Sequence, residues 1–197
     1  MDVLKAIRTR RSVGRVKPDP VEQEKINVIL EAATWAPNHH RTEPWKFFVL
    51  RGEGRRPLGR TLAKIAQEES KAEEGADEQK LKQAMQKPFR APVIIAVACI
   101  PQLENSKVHK IEEQAAVSAA IQNMLLAAHS LGLGAIWRTG RQCYHPEMKK
   151  LFGLGPEDEL LGFIYLGYPE SDPPSRERTS YVEKTVWIDT DTDQPFM

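Results

Sequence analysis

The stretch from Glu112 to Leu131 constrains this chain more than any other part of it. Read as a helix, its Ala115, Ala116, Val117, Ala119, Ala120, Ile121, Met124, Leu125, Leu126, Ala127, Ala128 and Leu131 cover nearly the whole circumference. A helix that is apolar nearly all round must be covered all round, inside a core or between subunits. Ser118, Gln122, Asn123, His129, Ser130 and Gly132 interrupt the run too often for a membrane span. Gly132 is placed to cap its end.

The other elements arrange themselves around that helix. A short helix starts at Asp2, with Val3, Leu4 and Ile7 as its apolar face. Asp19-Pro20 reads as N-cap and first position of a helix running from Val21 to about Trp35, and Pro37 ends it. Trp45 to Leu50, Pro92 to Ile100, Gly134 to Arg138 and Leu160 to Leu166 read as strands, and His145 to Phe152 as a short helix. Tyr181 to Ile188 reads as a last extended segment. Residues 52–87 are rich in Glu, Lys, Gln and Ala, which predicts helix broken near Gly75 in an exposed, mobile lobe. The mixture predicts an α+β fold: one domain over residues 1–197, with a central, mainly antiparallel sheet packed by helices.

Charge narrows the partners. Twenty-eight Lys and Arg face 27 Asp and Glu, a net charge of +1. That balance offers no long-range field for nucleic acid or an anionic membrane. The amphipathic start MDVLKAIRTRRS has no apolar h-region, so the chain reads as cytoplasmic. Two cysteines, Cys99 and Cys143, make neither a metal-ligand spacing nor a disulfide framework.

Chemistry concentrates in four places. Arg10, Arg11 and Ser12, with Arg15 and Lys17, put four cations and a hydroxyl within eight residues. Guanidinium forks match phosphate oxygens, although such a run taken alone usually faces water. Arg176 and Arg178 point the same way if that segment is extended. APNHHRTEPW, Ala36 to Trp45, is an irregular polar loop held by two prolines. Its adjacent histidines lack a third ligand at recognisable spacing, so no metal is expected, and a hydrogen-bonding loop over a polar ring is the better reading. GLGAIWRTG, Gly132 to Gly140, leaves the buried helix through glycines that allow close approach of a flat group. The chain has no dinucleotide fingerprint, P-loop or nucleophile elbow.

RRSVGRVKPDPV, APNHHRTEPWKFFVL, RAPVIIAVAC, QNMLLAAHSLGLGAIW and LGYPE, in this order, resemble the nitroreductase family of flavoproteins. The likeness spans the chain apart from residues 52–87, and the Trp-Arg-Thr run resembles a smaller bacterial subgroup of NAD(P)H nitroreductases. It implies a homodimer with FMN at the subunit interface, NADH or NADPH as co-substrate, and a nitroaromatic, quinone or similar acceptor. Arg10, Arg11 and Ser12 match positions that hold the flavin's phosphate and ribityl chain, and Arg176 and Arg178 look like the basic pair meeting that phosphate. Trp137, Arg138 and Thr139 match the strand end beside the flavin ring. Pro37, Asn38, His39, Arg41 and Glu43 belong to the loop that reaches the partner's flavin, with Asn38, Arg41 and Glu43 departing from the usual Ser, Asn and Gln. Gly14 stands where a basic residue is common. No side chain is singled out as acid or base, because the flavin carries the chemistry. The same fold also suits reductive dehalogenation, flavin breakdown or non-catalytic flavin binding.

Overall fold

A computed structural model describes residues 1–71, 78–174 and 176–189. Four strands form one antiparallel sheet in the order β1-β2-β4-β3: β1 is Trp45–Arg51, β2 Val93–Cys99, β3 Gly134–Arg138 and β4 Glu159–Gly167. β2 is buried along its whole length, as expected of a central strand with both faces covered. Its alternation splits the core in two. Val93, Ile95, Val97 and Cys99 face one cluster, and Ile94, Ala96 and Ala98 face the other.

Helices α2 (Gln23–Thr34) and α5 (Lys110–Ser130) cover the first face. Helix α3 (Arg56–Lys71) covers the second, with α4 (Glu78–Gln86), α6 (Arg141–Tyr144) and α7 (Pro146–Leu151) around it. A short helix α1 (Val3–Thr9) opens the chain, capped by the Asp2 carboxylate accepting from the Lys5 amide at 3.0 Å. α5 ends in a Schellman closure: the Leu133 amide reaches Ala128 O (2.9 Å), the Gly132 amide reaches His129 O (3.1 Å), and Gly132 takes φ +76°.

Four features differ from the sequence reading. α2 begins at Gln23 rather than Val21, because the chain is still extended at Glu22, its N-cap, and Val21 before it is buried in the core. The face of α1 made by Val3, Leu4 and Ile7 is exposed, and only Ala6 is buried. The described part of residues 52–87 is helical as expected, but α3 is not wholly exposed: Leu58, Leu62 and Ile65, at helical spacing, are buried under the sheet. The break expected at Gly75 lies outside the described residues. Tyr181–Lys184 forms one turn of 3-10 helix instead of a strand. The Ser180 hydroxyl accepts from the Val182 amide there (3.3 Å), and a side-chain bond of this kind favours the turn.

One irregularity shapes the edge at β3. The β2–β4 register shifts between Val97 and Ala98, leaving Leu161 as an extra residue opposite them. Gly162 follows at φ +142°, and a Cβ there would lie 2.5 Å from the Trp137 indole nitrogen and 2.6 Å from Arg138 O. The bulge lets the Trp137 indole donate to Leu161 O at 3.0 Å. Beyond β3, Ser12 pairs with Ala135 and the Val13 amide donates to Ala135 O (3.0 Å), so the chain after α1 lengthens the sheet. Gly134 makes that approach possible, since a Cβ there would meet Val13 at 2.8 Å.

Candidate flavin site

The pairing of Ser12 with Ala135 carries Arg10 and Arg11 to the edge of the sheet near the end of α5. Arg10 is half-buried, and its Nη1 is buried without a hydrogen-bond partner. Burial, then the charges of Arg178 and Arg11, pulls its guanidinium below the usual arginine range. Arg11 donates through Nη1 to Arg8 O (2.8 Å) and Arg10 O (2.9 Å) and through Nη2 to Arg176 O (3.5 Å), and its Nε is also buried and unpartnered. The two basic groups therefore meet in space. Ser12, Arg176 and Arg178 are exposed beside them. A cavity of about 340 Å³ opens at the other end of β3, and one of about 260 Å³ lies under Arg10, Arg11, Gly134 and Ala135.

The larger cavity takes in Trp137, Arg138 and Thr139 together. The Arg138 guanidinium carbon lies 5.2 Å from the centre of the Tyr165 ring, a cation–π distance. Its Nη2 lies 3.8 Å from where a Cβ on Gly14 would stand, so a cation from β3 fills the neighbourhood that Gly14 leaves without one. Its Nε is buried with no partner.

The loop of residues 37–43 sits elsewhere. It is tied to the first turns of α5: His39 Nδ1 lies 2.9 Å from Glu112 Oε2, and the Thr42 hydroxyl donates to Glu113 Oε1 at 2.6 Å. Glu113 is 1% exposed and also accepts from the Gln102 amide at 3.3 Å. The His39 contact holds the Glu112 carboxyl below its ordinary range. His39 and His40 stack with ring centres 3.8 Å apart. Asn38 closes the loop by accepting from the Glu43 amide at 3.0 Å, while Pro37 and Arg41 are exposed. His40, Arg41 and Glu43 all take positive φ, at +58°, +55° and +49°. Such residues cost roughly 1–3 kcal/mol each and persist where their surroundings fix them. Arg10 and Arg11 lie at the last turn of α5 and this loop at its first, about 30 Å away along a 21-residue helix. One chain does not bring the loop to the arginines.

Sequence reasoning missed three contributors. His129, at the end of α5, faces Arg10 and Arg11 and has its Nε2 2.8 Å from the Thr9 hydroxyl; burial, then those two charges, lowers its pKa from 6.5. Lys87 and Arg90, between α4 and β2, enter the larger cavity. Nothing in their local sequence separates them from the surface cations around them. Both cysteines are free and buried, and burial pushes Cys99 up to about 12 and Cys143 up to about 11. Thiols so disfavoured as thiolates are poor nucleophiles.

An antiparallel sheet with helices on both faces, a basic edge beside it and an open strand end define a nitroreductase-type scaffold. The family model described as "Nitroreductase family" matches residues 7–168, and the chain belongs to that family. It is 36% identical over 170 residues to the Escherichia coli (strain K12) protein named "Putative NAD(P)H nitroreductase YdjA", covering 86% of this chain and 90% of the relative. Among solved structures it is similar to a nitroreductase-like family protein from Bacillus cereus, with a TM-score of 0.79 and 30% identity over 96% of this chain and 97% of that one. It is also similar to a Desulfovibrio desulfuricans protein described as "a putative nitroreductase in complex with fmn", with a TM-score of 0.72 and 29% identity over 96% and 98% of the two chains.

Proposed function

We propose that this chain is a cytoplasmic, homodimeric FMN-dependent oxidoreductase that passes electrons from NADH or NADPH to a nitroaromatic, a quinone or a similar acceptor. The observation that carries the reading is the set of buried guanidinium nitrogens without partners: Arg10 Nη1, Arg11 Nε and Arg138 Nε. Buried donors of this kind are ordinarily satisfied, so three along one strand edge fit a bound group with acceptors along its length. An FMN has a phosphate at one end and a carbonyl-bearing ring at the other. Arg10, Arg11, Ser12, Arg176 and Arg178 would take the phosphate end, and Trp137, Arg138 and Thr139 the ring end. Bound there, FMN supplies two-electron transfer, while the protein supplies position and charge.

Within this reading the second subunit completes the site. The loop Pro37 to Glu43 lies at the opposite end of α5 from the arginines, so two antiparallel copies of α5 would bring each loop to the partner's basic edge. α5 leaves Ile111, Ala115 and Gln122 exposed, a face for such a contact. Anaerobic stopped-flow mixing of the FMN-loaded protein with NADH or NADPH tests the activity. Loss of the flavin's visible absorbance, and its return on adding a quinone or nitroaromatic, is the expected result. A bound flavin that neither nicotinamide reduces would make the protein a flavin binder and overturn the proposal.

A further inference from the structure

The cavity beyond β3 has an unusual charge balance. Among the described residues, Lys87, Arg90 and Arg138 line it together and no carboxylate does. Among the described residues, none of the three is paired with a carboxylate. Arg138 and Arg90 both act on Tyr165: burial raises its hydroxyl above the usual tyrosine range, and the two guanidiniums oppose that rise. Three cations around one space repel each other, and that cost is removed by an anion among them. The rest of the wall is aromatic and apolar, including Trp137, Phe163 and Tyr165. The volume, about 340 Å³, suits a single substituted ring.

We propose that this cavity receives an aromatic acceptor that carries an acidic group, with the carboxylate set among Lys87, Arg90 and Arg138 and the ring against Trp137 and Tyr165. The proposal rests on the flavin reading above, because the cavity shares Trp137, Arg138 and Thr139 with the ring end of that site. It adds a substrate class, acidic aromatics, and names Arg90 as a specificity-determining residue. Arg90 is exposed, so Arg90→Gln is expected to fold, and its FMN content checks this.

The test is calorimetric titration of the FMN-loaded dimer with benzoate and with its neutral isostere benzamide, for wild type and Arg90→Gln. FMN content per subunit is measured on both proteins. Benzoate should bind at least about tenfold more tightly than benzamide, because charge-assisted hydrogen bonds are roughly twice as strong as neutral ones. Arg90→Gln should remove most of that preference while FMN content stays the same. Equal binding of the two compounds to wild type would overturn the proposal. Loss of FMN from Arg90→Gln would also overturn it, since the cations would then serve the flavin. So would a raised KM for NADPH relative to NADH with benzoate affinity unchanged, which would assign the cations to the nucleotide phosphate. An apoprotein that takes up no FMN would instead break the flavin reading, and the same two titrations on that apoprotein still read the cavity.

Discussion

His129 lies beneath Arg10 and Arg11, and its proton equilibrium reports on them. Burial and the two cations lower its pKa in the folded chain below the ordinary 6.5. The unfolded chain therefore takes up this proton first as pH falls. The stability tied to His129 is complete above 6.5 and declines as pH drops from there through the lowered folded value. Melting temperature should fall between about pH 7 and pH 5, and His129→Gln should flatten that part of the curve. An unchanged slope in the variant would show that this ring's proton equilibrium does not differ between the folded and unfolded chain. Arg10 and Arg11 were legible in the sequence as a basic run, but His129 was not. It sits 119 positions after Arg10 and reads there as one polar interruption of an apolar helix.

At the scale of elements, the anchoring of the loop by Glu113 decides whether a strained backbone survives. Glu113→Ala removes the acceptor for Thr42 and for the Gln102 amide, both drawn against a buried carboxylate. Leaving such groups unsatisfied costs about 1–3 kcal/mol, so urea unfolding should show a loss in that range. Faster exchange of the residue 37–43 amides should accompany it, and unchanged exchange would count against the anchor. β2 and α5 were legible because their composition admits one environment: a continuous apolar run and a helix apolar on every side. α3 was less so, because Leu58, Leu62 and Ile65 are spaced through a highly charged sequence and only the sheet beneath them shows their common face. The C-terminal stretch YVEKTVWI has a strand's composition, but no strand pairs with it among the described residues. The candidate site was half legible. Its motifs lie in order along the chain, while the cavity joins Lys87 and Arg90 to a strand nearly 50 positions later.

Several large apolar side chains stand exposed among the described residues. Trp35 is 80% exposed, Ile111 75% and Trp187 78%, and Val3, Leu4, Ile7, Tyr181 and Ile188 join them. The proposed dimer would cover part of this surface. In the proposed reading a second copy brings each loop to the partner's basic edge. Sedimentation equilibrium should give about twice the 22.3 kDa chain mass, and a stable flavin-loaded monomer would contradict the assembly. In the proposed site the two distant basic groups hold one flavin phosphate. The most direct measurement is a titration of apoprotein with FMN and riboflavin, for wild type, Arg10→Ala and Arg178→Ala. Each substitution should weaken FMN binding roughly 10- to 150-fold, the equivalent of one charge-assisted contact, and riboflavin should bind wild type poorly. FMN bound equally by both variants and wild type, or riboflavin bound as tightly as FMN, would contradict the account.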